Sequence, residues 1–555
     1  MTRTITYLVM LAVLSFITAC KRDFLERDPY GVLDETDYFK TDGAGLKLVT
    51  GCYQPMLDGW GYTINKVAIG DESVDNADAG GSDPGDRPQT TEVGRGRPLS
   101  SNPLLFETWS NRYLGIGKCN IALDALKREG GNLVENGAPL PSEALARYFA
   151  EIKFLRAWYY FDLITVFKEV PLLTSVEDPA TRKGKARIEE LRNQLYTDLD
   201  EALAEPNFPR ASELPTSETG RATKDAAYTL KARAALFFAG LMEQGKMEGD
   251  AQGEYLIAKE MAGEVVQHGQ LSLLPDFQDL FRGDYQIGPF SKECIFGVLR
   301  KFDPAFNLTG DPFAIMNAGR NNVGGWGGDT PTRDLAAAFD AADPRKMFTI
   351  ISHNDTFKAT SGGEEVHNYR GYFNDYNLQQ NRKAFVPQAY RQQNDLQRSN
   401  WQPYWIRYSE VLLIYAEAII RTNGSRTDAL NYLNQVRHRA YVTTSKMDES
   451  AIYRLFAAGL KTMDEETFTS DYAIKASDDI LRAIKQERRF ELALEGFRLY
   501  DLIRWGEYAS TMKAFYEKYG FADKGRDASE NSWPFPIPQI EIDRSNGALV
   551  QNNNY

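Results

Sequence analysis

One charged stretch, residues 486–506, carries the residue types best suited to chemistry. Three carboxylates follow one another at helical i, i+4 spacing, and these are Glu487, Glu491 and Glu495. Four guanidinium groups lie close to them in sequence, on Arg488, Arg489, Arg498 and Arg504. Because a planar guanidinium can form two parallel hydrogen bonds to one carboxylate, this composition predicts an ion network.

The same stretch is rich in large apolar side chains, including Phe490, Phe497 and Trp505. A run of charges is usually a solvated helix face, but these side chains leave little polar surface to be solvated. We therefore predict a partly buried network, in which Glu491 and Glu495 are largely buried and pair with arginines of the same stretch. Gly496 is expected to end the helix.

Catalytic motifs are not found in the sequence. It contains no G-x-S-x-G, H-E-x-x-H or C-x-x-C pattern and no phosphate-loop lysine. Carboxylates are numerous, so counting them does not separate a glycosidase pair from ordinary charged positions. Since the charged positions fit helices and loops without such a pair, we expect the protein not to be an enzyme.

An acidic segment, residues 71–78, offers oxygen ligands at loop spacing through Asp71, Asp75, Asn76 and Asp78. Such groups bind calcium, but the segment lacks the glycine and the final glutamate of an EF-hand loop. A solvated acidic loop is the favoured interpretation, and calcium is the alternative. No other cofactor or metal is expected.

Composition limits the class of protein. The chain has 555 residues, of which 43% are hydrophobic, and this is ample for a large core. Its formal net charge is −13. Because nucleic-acid binding calls for a basic face, we expect no nucleic-acid partner.

The N-terminus carries the pattern of an export signal. An apolar run over residues 7–17, too short to span a bilayer, ends in Ile17-Thr18-Ala19-Cys20. Small residues before a cysteine resemble a bacterial lipobox, which predicts cleavage of residues 1–19 and lipidation of Cys20. Residues 20–40 would then form a tether.

Three further cysteines are Cys52, Cys119 and Cys294. An odd number cannot all pair within one chain. Small buried hydrophobic residues are the favoured interpretation, and a Cys52–Cys119 bridge is the alternative.

Helical periodicity dominates two parts of the chain, residues 41–270 and 403–555. Two helices near residue 423 are separated by a short turn at Asn423-Gly424, after which Ser425 starts the second, so they should lie antiparallel. We predict a mainly α fold, a TPR-like stack of helical pairs. Over residues 271–402 the helical period fades and short β-like runs appear, which predicts an irregular, loop-rich lobe inserted in one compact domain.

Several motifs together resemble the SusD/RagB family of nutrient-binding lipoproteins. They are Leu155-Arg156-Ala157, Arg221-Ala222-Thr223, Ile406-Arg407-Tyr408, Glu487-Arg488-Arg489, Glu495-Gly496, Arg504-Trp505-Gly506 and Pro536-Ile537-Pro538. The resemblance covers nearly the whole chain and implies a lipid-anchored protein on the outer-membrane surface. It also implies that the protein captures an oligosaccharide and delivers it to a SusC-like, TonB-dependent transporter. A peptide or other non-sugar nutrient, and a pure protein-interaction scaffold, are the alternatives.

Sugar binding needs aromatic faces for stacking and polar groups for the hydroxyls. Aromatic candidates outside regular helices are Trp60, Trp326, Tyr369, Tyr372, Phe373, Tyr376 and Trp401. Polar candidates are Asn321, Asp71, Asp75 and Asn76. Glycine-rich and asparagine-rich loops cannot easily bury this many rings, so we predict that the ligand stacks on Trp326 or on a ring of residues 369–376.

Overall fold

The computed structural model describes most of the chain. The described residues are 35–178, 181–281, 288, 290–297, 299–300, 302–303, 308–319, 325–352, 356–358, 364–366, 379–386, 401–446, 462–553 and 555. The predicted signal segment and the predicted lipidation site Cys20 lie outside them. In the described part, no helix is both long enough and apolar enough to cross a membrane.

Helices form the framework. In chain order they are α1 Glu35–Phe39, α2 Ala44–Tyr53, α3 Asn65–Val67, α4 Pro88–Gly94, α5 Pro103–Glu129, α6 Ser142–Phe167, α7 Ile188–Ala204, α8 Lys224–Glu243, α9 Ala251–His268, α10 Phe313–Asn317, α11 Arg333–Ala338, α12 Arg345–Thr349, α13 Tyr408–Arg421, α14 Arg426–His438, α15 Glu465–Thr467, α16 Ile480–Glu491, α17 Arg498–Arg504, α18 Tyr508–Tyr519 and α19 Gln539–Arg544.

Short 3₁₀ and π turns and short strands complete the secondary structure. The 3₁₀ turns are Gln54–Leu57, Gly130–Asn132, Ala211–Glu213, Thr216–Glu218, Phe277–Leu280, Thr444–Lys446 and Phe521–Asp523, and the π turns are Gly59–Ile64, Ala68–Glu72, Arg439–Thr443 and Phe468–Tyr472. The strands are β1 Ala77–Gly80, β2 Val134–Glu135, β3 Ala138–Pro139, β4 Cys294–Gly297, β5 Phe302–Asp303, β6 Leu308–Thr309, β7 Gly328–Pro331, β8 Ile350–Ser352, β9 Thr356–Lys358, β10 Glu364–Val366, β11 Gln379–Asn381 and β12 Tyr404–Arg407.

Polar side chains cap the starts of helices α5 and α14. The Asn102 side chain accepts a hydrogen bond from the backbone N–H of Leu104 at 3.0 Å, and Pro103 occupies the first position of α5. The Ser425 hydroxyl accepts from the N–H of Asp428 at 3.2 Å, so Ser425 starts α14 as predicted.

Neighbouring helices pack in sequence order, which confirms the predicted mainly α, TPR-like fold. Helix α5 packs on α6, α6 on α7, α7 on α8 and α8 on α9. Helix α9 then packs on α13, and α13 packs on both α14 and α16. The main hydrophobic core lies between these helices and contains the fully buried rings of Trp158 and Tyr159.

The strands pair two by two and are antiparallel. Strand β1 pairs with β7 in the register Ala77↔Pro331 and Gly80↔Gly328, and β4 pairs with β12. These pairs join the helical part to the predicted irregular lobe. The β1–β7 pair is the important one here, because β7 follows directly after Trp326.

Helix α16 ends earlier than the sequence predicts. Its last residue is Glu491, and the chain then turns through Leu494 and Gly496, both of which have positive φ angles. Gly496 therefore does not cap this helix. Its backbone N–H instead donates to the Asp71 carboxylate, and Glu495 lies in the turn.

Candidate functional site

Two exposed tryptophans stack on each other at the surface. The ring centroids of Trp60 and Trp326 lie 5.3 Å apart, and the ring planes are inclined by 25°. Trp60 is 45% exposed and Trp326 is 40% exposed. The exposed parts of both rings offer apolar surface to a ligand.

A tight turn holds Trp60. The Asp58 carboxylate oxygen Oδ1 accepts hydrogen bonds from the backbone N–H groups of Trp60 at 3.1 Å and Gly61 at 2.9 Å. Asp58 thus caps the π turn Gly59–Ile64. A side chain at Gly59 would collide with the Pro312 ring, so only glycine lets this turn approach the segment before α10.

Backbone contacts hold Trp326. Its N–H donates to the carbonyl oxygen of Ile315 at 2.8 Å, and the N–H of Gly327 donates to the carbonyl oxygen of Ala318 at 2.8 Å. A Cβ atom at Gly325 would collide with the Ala318 backbone. The glycines beside Trp326 therefore allow the loop to lie flat on α10 and leave the indole ring outside.

The predicted aromatic candidates have different placements. Trp326 is exposed and stacks on Trp60, which was among the sequence candidates. Trp401 is buried, and its ring stacks on Phe313 with centroids 4.1 Å apart, so it belongs to the core. The other predicted ligand contacts, Tyr369, Tyr372, Tyr376 and Asn321, and also Phe373, lie outside the described residues.

The polar candidates Asp71, Asp75 and Asn76 are buried, with exposures of 0%, 2% and 1%. Asn76 donates to Asp71 at 2.9 Å. The Asp75 carboxylate accepts hydrogen bonds from Nε and Nη2 of Arg498, both at 2.9 Å. A ligand outside the protein cannot reach these side chains, and we therefore reassign them from ligand contacts to interior structural groups.

Burial and nearby charges shift the pKa values of the carboxyl groups in this segment. Burial raises the pKa of Asp71 to about 6, although Asn76 and the N–H of Gly496 stabilise its charge. Burial alone would also raise the pKa of Asp75, but Arg489 and Arg498 hold it well below its usual range. Segment 71–78 was predicted to be a solvated loop, but it is a buried part of the ion network.

The oxygen atoms proposed as calcium ligands already have partners. Asp71 and Asp75 are engaged as above, and Asp78 lies 3.6 Å from the ammonium nitrogen of Lys524. Among the residues described by the structure, no group of three or more His, Cys, Asp or Glu side chains is placed to hold a metal ion.

The acidic members of the predicted network are buried, as expected. Glu487 and Glu491 are fully buried and Glu495 is 9% exposed. Glu491 accepts from Arg407 at 3.0 Å, Arg439 at 2.5 Å and Arg345 at 3.1 Å.

The other two glutamates also bind cations from distant segments. Glu495 accepts from Lys383 at 2.7 Å and from Nε of Arg407 at 2.8 Å. Glu487 accepts from Arg345 at 2.6 Å. The partners of these glutamates therefore come from outside residues 486–506.

The prediction of the cationic partners was wrong. Arg488 pairs with Asp501 at 2.9 Å, and Arg504 pairs with Glu417 at 2.7 Å. Arg489 and Arg498 bind Asp75. These four arginines therefore pair with Asp501, Glu417 and Asp75 instead of with the three glutamates.

Two family models match the chain. One, described as the SusD family, matches residues 302–555. The other, described as starch-binding associating with outer membrane, matches residues 100–236.

Curated relatives are similar over most of their length. The SusD-like protein P2 of Formosa agariphila is 25% identical over 99% of both chains. The starch-binding protein SusD of Bacteroides thetaiotaomicron is 24% identical over 74% of this chain and 73% of its own.

Solved structures share the fold. A SusD homologue from Bacteroides thetaiotaomicron superposes with a TM-score of 0.73 at 21% identity, covering 94% of this chain and 99% of its own. A surface glycan-binding protein A from the same species, in complex with laminarihexaose, gives a TM-score of 0.68 at 22% identity over 93% of this chain and all of its own. Helical architecture, both family models and the relatives agree, and the chain belongs to the SusD family.

Proposed function

We propose that the protein captures an oligosaccharide on stacked Trp60 and Trp326. The observation that carries this proposal is the exposure of both indole rings at the surface. Rigid, partly exposed aromatic faces suit the C–H faces of sugar rings, and the surrounding backbone contacts hold them in place before a ligand arrives.

The names of relatives support a glycan as the ligand class. One structural neighbour is a glycan-binding protein in complex with laminarihexaose, and one relative is a starch-binding protein. The proposal extends these properties to this chain. A peptide ligand remains the second candidate, since an aromatic pair also suits apolar side chains.

Location and partner complete the proposal. We infer that Cys20 is lipidated, that the protein lies on the outer-membrane surface, and that it delivers its ligand to a SusC-like transporter. One family model is described as starch-binding associating with outer membrane, which supports the location. The protein acts here as a binding protein without catalysis.

Calorimetric titration tests the proposal. The wild-type protein is titrated with laminari-oligosaccharides and malto-oligosaccharides, and Trp60→Ala and Trp326→Ala are titrated beside it. Losing a stacking ring should weaken binding by about 1–3 kcal/mol, by analogy with ring–base stacking. Leu256→Ala, which removes another exposed apolar side chain on α9, is the matched control and should keep full affinity.

The outcomes separate the candidates. Full affinity in both tryptophan variants would place the glycan elsewhere. Binding of peptides but of neither glycan would favour the second candidate. Release of new reducing sugar ends from either class of oligosaccharide by the purified protein would contradict the absence of catalysis.

A further inference from the structure

Two cysteines from different helices meet in the interior. Cys52 lies in the last turn of α2, and Cys119 lies in the middle of α5, against which α2 packs. Both side chains are fully buried free thiols, and burial together with the neighbouring Cys52 thiol raises the pKa of the Cys119 thiol. The Cys52 thiol also donates to the carbonyl oxygen of Leu48 at 3.3 Å.

Tyr159 of α6 holds both helices beside it. Its hydroxyl donates to the carbonyl oxygen of Cys52 at 2.8 Å. Its ring lies so close to Gly115, one turn before Cys119, that a Cβ atom there would collide with it. The two thiols are therefore kept together by packing on a shared, fully buried ring.

The third described cysteine is separate from this pair. Cys294 begins β4, and its charged neighbours are Glu293 and Arg407 of the ion network. Among the described cysteines, Cys52 and Cys119 are therefore the neighbouring pair, and Cys294 stands apart.

We propose that Cys52 and Cys119 form a disulfide bond in the exported protein. This inference rests on the export that is part of the proposed function, since such bonds persist in oxidising compartments. The oxidant is the disulfide of a protein thiol oxidase, which accepts the two electrons that the cysteine thiols lose. One cysteine thiolate attacks that disulfide, and the second thiolate resolves the mixed disulfide. The S–S bond between Cys52 and Cys119 forms, the oxidase leaves as a dithiol, and the two thiol protons pass to it.

The interior sets the timing of this step. Burial raises the pKa of the Cys119 thiol well above its usual value, which disfavours the reactive thiolate in the folded protein. The bond should therefore form before α2 and α5 close around the two sulfur atoms. For the same reason, the finished bond should resist reduction until the protein unfolds.

The proposed bond would close a loop over residues 52–119, which includes part of the proposed ligand site. It contains the Gly59–Ile64 turn that carries Trp60, and it also contains Asp58, which caps that turn. A covalent link between α2 and α5 restrains the unfolded chain at both ends of this segment.

Site-resolved alkylation tests the bond. The full-length protein is recovered from the outer-membrane fraction, denatured without reductant in the presence of iodoacetamide, digested and analysed by mass spectrometry. We expect alkylated Cys294, a linked peptide containing Cys52 and Cys119, and alkylation of these two only after reduction. Cys294→Ser should keep the linked peptide, whereas Cys119→Ser should leave Cys52 free to react.

Alkylation of both Cys52 and Cys119 without reductant would overturn the proposal, even if the same sample binds glycan normally. A second sample, refolded from the reduced state with oxidised glutathione, is digested in the same way. A linked peptide there, together with protein that fails to reach the outer membrane, would support the pairing and count against the proposed location.

A melting temperature that falls on adding reductant in wild type, but not in Cys52→Ala/Cys119→Ala, is also expected.

Discussion

Arg407 and Glu491 pair in the interior with 3.0 Å between Nη1 and Oε1, although 84 positions separate them in the sequence. The same guanidinium donates through Nη1 to Glu293 at 2.9 Å and through Nε to Glu495 at 2.8 Å. Arg407 therefore joins the end of β12, the residue before β4 and the turn after α16. One buried side chain connects three parts of the chain that are distant in sequence.

Replacing Glu491 should destabilise the protein strongly. In Glu491→Ala, Arg407, Arg439 and Arg345 each lose a carboxylate partner in the interior. Breaking a buried ion pair on one side costs roughly 3–5 kcal/mol, because the remaining charge is left uncompensated. Denaturant unfolding should show this loss in the free energy of unfolding.

The matched control for this prediction is Glu466→Ala. Glu466 is exposed in α15, so its removal should change the free energy of unfolding very little. Equal stabilities of Glu491→Ala and the control would show that the buried network contributes nothing measurable.

The sequence predicted the local features of the fold. Helical periodicity and the start of α14 at Ser425 depend on neighbouring residues, so they are visible in the chain itself. Burial of Glu491 could be predicted as well, because large apolar side chains surround it in sequence. The exposed Trp326 could be predicted from its flanking glycines.

The contact partners of Glu491, Trp326 and segment 71–78 could not be predicted, because these contacts join segments that are distant in the sequence. Nothing near Glu491 indicates that Arg407 and Arg439 reach it. Nothing near Trp326 indicates that Trp60 stacks on it. Segment 71–78 looks like a solvated loop by composition, and its buried carboxylates are paired with cations from other segments, among them Arg489, Arg498 and Lys524.

The pH dependence of stability should report on Glu72. Burial raises the pKa of this carboxyl group to about 7, although Arg87 binds it at 2.8 Å, whereas an unfolded glutamate titrates near about 4.3. The folded protein therefore binds the proton more tightly. The resulting stabilisation is fully present below the unfolded pKa and is lost as the pH rises through the folded value.

Glu72→Gln should remove this contribution. As the pH rises from about 4.3 to 7, the free energy of unfolding should fall less in Glu72→Gln than in wild type. Denaturant titration at several pH values measures this difference. The carboxyl group of Asp71 interacts electrostatically with that of Glu72, so the difference between the two curves reports on Glu72 together with its effect on Asp71. Glu466→Gln, at an exposed position, should run parallel to wild type, and a parallel curve for Glu72→Gln would contradict the assignment.

Membrane anchoring should depend on Cys20. The lipobox pattern Ile17-Thr18-Ala19-Cys20 places a thiol for lipidation at this position. Cys20→Ala should move the protein from the membrane fraction to the soluble fraction and remove the lipid mass from the N-terminal peptide. Cys294→Ala should leave both readouts unchanged. Retention of Cys20→Ala in the membrane would refute lipid anchoring through this residue.

Asp58 should affect ligand binding through the position of Trp60. In Asp58→Ala, the N–H groups of Trp60 and Gly61 lose their acceptor, and the turn that presents the ring becomes less ordered. Loss of a cap costs about 0.5–2 kcal/mol of stability. Affinity for the oligosaccharide that binds wild type should fall, but by less than the roughly 1–3 kcal/mol expected for removing a ring.

A second capping residue supplies the control for this effect. Asp250 caps α9 by accepting from the N–H of Gln252 at 3.0 Å. Asp250→Ala should therefore lose a similar amount of stability while its calorimetric affinity stays at the wild-type value. Only Asp58 is expected to position Trp60, so only Asp58→Ala should lose affinity. An equal loss of affinity in both variants would show that the effect of Asp58→Ala comes from reduced stability alone.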